Sequence, residues 1–170
     1  CFVAAVFTWG FGVFGSSVYL SEITRAHVWS TSIVSAAITV FFLTNAIVLP
    51  AISAGISRFG PRYVISGGGL LLGAGIVAVG RLEELWQLFA AFACMGVGYA
   101  TMSVAGLSAT IAPWFERHQG RSITLALTGA SVGAMVVVPL LVMAIARWGF
   151  AEATMLSALL VVICMLPLSL

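Results

Sequence analysis

The stretch Ser-Arg-Phe-Gly-Pro-Arg at residues 57–62 decides how the rest of the chain is arranged. It places two arginines, a glycine and a proline between two long apolar runs. A charged side chain is costly in the hydrocarbon of a bilayer, and glycine and proline are typical of turns. We therefore interpret this stretch as a turn that leaves the membrane between two helices.

The composition indicates a membrane protein. Of the 170 residues, 62% are hydrophobic and 7% are charged, whereas a soluble domain carries about 25% charged residues. The net charge is only +2, and the arginines form no clustered basic face, so we expect no nucleic-acid partner. The three cysteines lie far apart without a CxxC spacing, which favours small buried hydrophobic residues over redox or metal chemistry.

Six apolar runs between the charges are long enough for membrane helices. A spanning helix needs about 20 residues, and lipid tolerates no exposed irregular backbone. We predict an all-α membrane protein with six transmembrane helices joined by short turns, so that neighbouring helices are antiparallel. The predicted helices are at about 1–20, 29–56, 64–80, 85–114, 122–146 and 150–170.

The charges in the turns predict the orientation. The second and fourth turns together hold four arginines and one glutamate, whereas the other three hold three arginines and four glutamates. Because arginine-rich short loops face the cytoplasm, we expect these two turns, and both ends of the bundle, to be cytoplasmic in a multi-pass protein of the plasma membrane. Tryptophans at 29, 86, 114 and 148 fall at predicted helix ends, and Trp9 falls near mid-membrane.

Two further features suggest a piece of a larger, repeated architecture. The chain begins at Cys1 and ends at Leu170 inside apolar runs, so we expect it to be a fragment of a longer protein. Gly-Phe-Gly at 10–12 is followed by Gly-Val-Gly at 96–98, and Pro50 by Pro139, at a nearly constant spacing. Such spacing is typical of a three-plus-three helix repeat in a transporter half.

The turns resemble those of the major facilitator superfamily, the twelve-helix secondary transporters. The loop between helices two and three of that family reads roughly G-x-x-x-D-R-x-G-R-R. Arg58, Gly60 and Arg62 match it, whereas Ser57 replaces the aspartate and Ser53 the first glycine. The Gly-Pro-Arg ending is similar to the monocarboxylate and oxalate:formate branch. The stretches at 113–122 and 22–25 resemble that branch's helix-four exit and first outer loop.

The resemblance implies that residues 1–170 form the N-terminal six-helix bundle, with the second six-helix bundle absent from this sequence. Substrate would bind near the bilayer midplane between the bundles, which rock around it, and helices one and four would line the cavity. The branch implies small organic anions, mono- or dicarboxylates, moved by proton coupling or exchange. In that branch, the positive charge that holds the carboxylate typically lies in the second half.

Two sets of candidate residues follow from depth in the membrane and from the resemblance. The mid-membrane polar and aromatic residues that could line the substrate cavity are Trp9, Phe14, Tyr19, Asn45, Tyr99, Thr101 and Ser103. The candidates for the cytoplasmic gating loops are Ser57, Arg58, Gly60, Arg62, Arg117 and Arg121. Without the family's aspartate, Arg58 needs another partner, such as a helix C-terminal carbonyl or Glu116. For each aromatic candidate, a ring that faces lipid is the alternative.

No run carries an ionisable residue near its middle, and no catalytic motif occurs. We therefore expect no enzyme activity, no metal and no cofactor. Two alternative functions remain open: a major-facilitator transporter of another substrate class, such as a sugar or a drug, and a self-contained six-helix scaffold or channel subunit.

Overall fold

Six helices make up the part of the chain that the computed structural model describes, residues 2–26, 29–104, 108 and 119–168. They are α1 (2–26), α2 (Thr31–Phe59), α3 (Pro61–Val79), α4 (Leu85–Ala100), α5 (119–148) and α6 (Phe150–Leu168). By length and composition, Thr31–Phe59, Pro61–Val79 and Leu127–Trp148 are candidate membrane spans, and Leu85–Ala100 and Phe150–Cys164 are shorter apolar helices. For the described residues, the prediction of an all-helical fold built on six main helices is confirmed.

Two helices contain a π-helical segment. Helix α1 joins Phe2–Thr8, the π-helical Trp9–Phe14 and Gly15–Ala26. Helix α5 joins Gln119–Val132, the π-helical Gly133–Val137 and Val138–Trp148. The two π-helical segments contact each other, with a Cβ built on Gly10 only 2.7 Å from Cβ of Val137. Beyond them a groove of about 510 Å³ lies between Ser17 and Ser21 of α1 and Val142 and Ala146 of α5.

The end predicted for α1 was wrong. The helix continues to Ala26, so Glu22 and Arg25 lie in its last turns and form an ion pair at 3.7 Å. An acid and a base three residues apart on a helix support it, and Thr24 donates its hydroxyl to the Leu20 carbonyl at 2.7 Å. The charges therefore mark the end of the apolar run rather than the end of the helix.

The uninterrupted helix predicted at 85–114 was also wrong. Helix α4 ends at Ala100, and residues 101–103 form a turn, after which Val104 and Ser108 are helical again. The Thr101 and Ser103 hydroxyls donate to the Gly98 and Ala100 carbonyls at 2.8 and 2.9 Å. Hydroxyls that bond the backbone in this way compete with helix geometry. Residues 109–114 lie outside the described residues.

The turn at 57–62 is a single residue. Ser57, Arg58 and Phe59 belong to the last turn of α2, and α3 begins at Pro61, rather than at 64 as predicted. Gly60 has φ +85° and ψ 157° and donates its N–H to the Ile56 carbonyl at 3.0 Å. Only glycine adopts this backbone region readily, and proline suits the first position of a helix because it lacks an N–H. Gly149, with φ +90°, joins α5 to α6 in the same way.

Close glycine contacts hold the bundle together. Helix α4 packs between α2 and α3, α3 also packs on α6, and α1 packs mainly on α5. A Cβ built on Gly96 would lie 2.5 Å from the Phe41 carbonyl oxygen of α2, and one on Gly98 would lie 2.6 Å from the Gly68 oxygen of α3. Small residues allow membrane helices to approach this closely, so these glycines fix the position of α4.

Candidate functional site

Three aromatic rings from three helices meet inside the bundle. The Tyr99 ring of α4 lies 5.7 Å from the Trp9 ring of α1 at 65°, and 5.3 Å from the Phe41 ring of α2 at 44°. Phe41 and Tyr99 are buried and Trp9 is half-buried. We call Trp9, Phe41 and Tyr99 the ring cluster.

The ring cluster depends on a glycine. A Cβ built on Gly12 would lie 3.2 Å from Cδ2 of Tyr99 and 3.7 Å from Cζ of Phe41. The missing side chain of Gly12 therefore leaves the space that the two rings share. Trp9 is the first residue of the π-helical segment, three residues before Gly12, and both residues lie against the Tyr99 ring.

Two polar atoms near the ring cluster have no hydrogen-bond partner among the described residues. They are Nε1 of Trp9, a donor, and Oδ1 of Asn45, an acceptor, and both are buried although their side chains are only half-buried. Asn45 lies four residues after Phe41, on the same face of α2. Since α1 and α2 are antiparallel and Gly12 faces Phe41, Trp9 lies at about the level of Asn45. A buried unsatisfied group costs about 1–3 kcal/mol, so this level of the bundle favours a bound polar group.

The other predicted cavity residues lie elsewhere. The Tyr19 ring is fully buried and packs on Phe150 at 6.3 Å, while its hydroxyl is another buried group without a partner among the described residues. Thr101 is buried in the contact between α3 and α4, where its side chain fills the space left by Gly68. These two side chains support helix packing and do not reach the surface of the bundle.

The last two cavity candidates are less central. Phe14 is half-buried at the end of the π-helical segment of α1, where its carbonyl accepts a hydrogen bond from Ser17 Oγ at 2.8 Å. Ser103 is buried in the turn after α4. Of the seven cavity candidates, the structure brings Trp9 and Tyr99 into contact, and helix register places Asn45 at about the level of Trp9.

The described gating-loop residues lie at one end of the bundle. Ser57, Arg58 and Arg62 are exposed, and Ser57 Oγ donates to the Ala54 carbonyl at 2.9 Å. The Arg58 guanidinium lies over the Phe59 ring, 5.4 Å from its centroid. Arg117, the side chain of Arg121 and the suggested partner Glu116 lie outside the described residues.

Charge is confined to the ends of the described helices. Every described arginine and glutamate lies in the last turns of a helix, in its first turn, or between helices. In the described ranges, no three His, Cys, Asp or Glu residues come together in a group that could hold a metal ion. The interior of the described bundle therefore offers rings, an indole N–H, an amide and hydroxyls, without a fixed charge.

Sequence reasoning missed Phe41. Depth in the membrane singles out polar and aromatic residues, but the pair Phe41-Phe42 near the middle of α2 has no polar atom and was passed over. The available signal was geometric, because Phe41 precedes Asn45 by one helical turn and shares its face.

The fold and the apolar helices define a multi-pass helical membrane protein. The family model of the Major Facilitator Superfamily matches residues 1–170, so the chain belongs to this superfamily. The MFS transporter asaE of Aspergillus flavus is 30% identical over 104 residues, which make up 61% of this chain and 23% of that protein. The matched part of the chain thus spans less than a quarter of this relative.

Proposed function

We propose that the chain is the N-terminal half of a secondary transporter that carries small organic anions, mono- or dicarboxylates, across the plasma membrane by alternating access. The observation that carries the proposal is the ring cluster with the unpartnered Trp9 Nε1, in a chain that belongs over its whole length to a superfamily of transporters. Proton coupling or exchange would supply the energy for transport.

A second six-helix bundle is the proposed structural partner. The matched stretch spans only 23% of the relative, which fits a chain that works as part of a larger protein. Substrate would bind near the bilayer midplane between the bundles, and rocking of the bundles would expose it to each side in turn. The arginine-rich turn at 57–62 supports a cytoplasmic position for the end of the bundle that carries it.

Hydrogen-bond chemistry supports an anionic substrate. An indole N–H only donates, and a carboxylate oxygen is a strong acceptor for it. The described interior supplies this donor and the Tyr99 ring but no cation. The second bundle would therefore supply the positive charge, and this half would orient the substrate.

An uncharged substrate is the second candidate. A sugar or an apolar drug binds aromatic surface without requiring a cation, and the three rings of the ring cluster offer such surface. The two candidates differ in what the second bundle must contain, since only the anion requires a positive charge near the midplane.

Transport by the full-length protein in proteoliposomes tests the proposal. We expect saturable uptake of at least one mono- or dicarboxylate. Other carboxylates should inhibit this uptake, and a proton gradient or carboxylate inside the vesicles should accelerate it. Trp9→Phe, which keeps a ring but removes the N–H, should weaken carboxylate affinity, whereas Trp86→Phe, at the exposed end of α4, should not. Uptake of sugars or drugs without any carboxylate uptake would overturn the anion proposal and leave transport standing.

A further inference from the structure

A groove of about 420 Å³ runs between α3 and α4 on the outside of the bundle. Its walls are formed by small side chains, Ala74 and Ala78 on α3 and Ala90 on α4, all of them exposed. Cys94 lies at its far end, where Sγ donates to the Leu71 carbonyl at 3.3 Å. The groove is therefore apolar and shallow, and its far end is closed by a satisfied thiol.

The mouth of the groove has a different chemistry. Arg81 and Trp86 line it where α3 ends and α4 begins. Trp86 is 67% exposed, and tryptophan at a helix end marks the headgroup level of a bilayer. From Trp86 to Cys94 the groove covers eight residues of helix, about 12 Å at 1.5 Å per residue. It thus runs from the headgroup level into the hydrocarbon.

The charges at the mouth lack partners of opposite sign. The Arg81 guanidinium donates to the Met155 thioether at 3.6 Å, and Arg81, Glu83 and Glu84 form no ion pair within the described residues. Glu84 caps the N-terminus of α4. Its side chain accepts a hydrogen bond from the Gln87 backbone N–H, and the Gln87 side chain accepts one from the Glu84 backbone N–H. The Glu83 carboxylate is exposed beside them. Both glutamates keep their negative charge, so the turn at the mouth carries one arginine and two glutamates, all of them exposed.

The groove faces away from the ring cluster. On α4, Gly96 packs on α2 and Tyr99 on α1, whereas Ala90 and Cys94 line the groove. Positions two residues apart lie on nearly opposite sides of a helix of 3.6 residues per turn. A second bundle that meets the ring cluster would leave this groove open to lipid.

From these features we propose that the groove is a binding site for one zwitterionic glycerophospholipid. The phosphate would pair with the Arg81 guanidinium, which suits phosphate oxygens, and the headgroup ammonium would lie near Glu83. One acyl chain would occupy the groove between Ala78 and Ala90 as far as Cys94. Net charge distinguishes this occupant, since an anionic headgroup would bring no positive group to the Glu83 and Glu84 carboxylates. The proposal rests on the chain spanning a membrane and not on its transport substrate.

Native mass spectrometry of the full-length protein, after incubation in vesicles of phosphatidylcholine or phosphatidylglycerol with the same acyl chains, tests the site. We expect wild-type protein to retain one more phosphatidylcholine than Ala90→Leu, in which a larger side chain fills the groove. Arg81→Ala should retain it about tenfold more weakly, the size expected for loss of one charge-assisted hydrogen bond. All the altered side chains are exposed, and Ala78→Leu fills the groove from the other wall as a second test.

Two matched controls separate the groove from general lipid adhesion. Ala36→Leu adds the same bulk at an exposed position of α2, and Arg147→Ala removes an exposed arginine that lies over the Trp148 ring at 5.9 Å. Both should retain lipid like the wild type. Equal retention by wild type, Ala90→Leu and Arg81→Ala would overturn the proposal. The proposal would also be overturned if phosphatidylglycerol were retained as tightly as phosphatidylcholine. Displacement of the lipid by inorganic phosphate alone would overturn it as well.

Discussion

The Trp9 and Tyr99 rings meet edge to face, with their centroids 5.7 Å apart. The contact joins α1, at the start of its π-helical segment, to the end of α4. Aromatic pairs of this geometry contribute about 0.5–1.5 kcal/mol beyond their buried area. The ring contact therefore holds α1 against α4 at the candidate site.

Tyr99→Phe should weaken substrate affinity while keeping the ring contacts with Trp9 and Phe41. One lost hydrogen bond is worth about 0.5–1.5 kcal/mol, so KM should rise roughly three- to tenfold with little change in thermal stability. Initial-rate uptake by the full-length protein measures this. Tyr63→Phe, at an exposed position of α3, is the control and should keep the wild-type KM. An unchanged KM in Tyr99→Phe would remove this hydroxyl from the site.

Arg58→Ala should impair transport and leave membrane insertion intact, because the proposed role of this arginine is to stabilise one conformational state of the gating loop. A conformational coupling of about 1–3 kcal/mol corresponds to a fall in uptake rate of at least about fivefold. Arg147→Ala is the matched control, since both arginines lie over the aromatic ring of the next residue near a helix end. Uptake kinetics equal to wild type in Arg58→Ala would refute the gating role.

Gly96→Ala should destabilise the bundle. The added methyl would lie 2.5 Å from the Phe41 carbonyl oxygen and 3.1 Å from Thr44 Cβ, so α2 and α4 must separate. Overpacking of this kind costs about 1–3 kcal/mol, seen as a lower Tm in detergent. Gly67→Ala provides the comparison, because a Cβ there meets nothing within 4 Å. It should be neutral or stabilising, since alanine favours helix over glycine.

Gly60→Ala should also destabilise the protein, but through its backbone. The space around Gly60 is open, whereas its φ of +85° and ψ of 157° are strained for a side chain. Such a residue costs about 1–3 kcal/mol. Gly120→Ala, in equally open space without a positive φ, should keep the wild-type Tm. A wild-type Tm in Gly60→Ala would show that the turn adopts another backbone conformation without losing stability, and would contradict this prediction.

The length of the apolar runs was sufficient to predict the six helices, because a run of about 20 apolar residues has few alternatives in lipid. The helix ends were less predictable. Counting between charges ended helix one before Glu22, although the helix continues through Arg25. The turn after Ala100, where Thr101 and Ser103 donate their hydroxyls to the Gly98 and Ala100 carbonyls, leaves no signal in a hydropathy pattern.

The depth of the candidate residues in the membrane could be predicted from the sequence. The side of the helix on which each side chain lies could not. Trp9, Tyr99 and Tyr19 were selected for the same reason, yet two of them meet in the ring cluster and the third packs on Phe150. Which face of a helix a residue occupies depends on the helices beside it. The π-helical segment of α1 also changes the faces of the residues after it relative to a continuous α-helix, and a hydropathy pattern does not reveal such a segment.

The paired π-helical segments have a consequence for comparing this chain with its relatives. A π-helical turn closes its hydrogen bond over five residues instead of four, so each segment accommodates one additional residue within a continuous helix. A relative with purely α-helical first and fifth helices would be shorter by one residue at 9–14 and again at 133–137. Sequence alignments should therefore place single-residue gaps inside these helices. A gap moved to a neighbouring loop would pair every residue of Gly15–Ala26, or of Val138–Trp148, with the wrong counterpart.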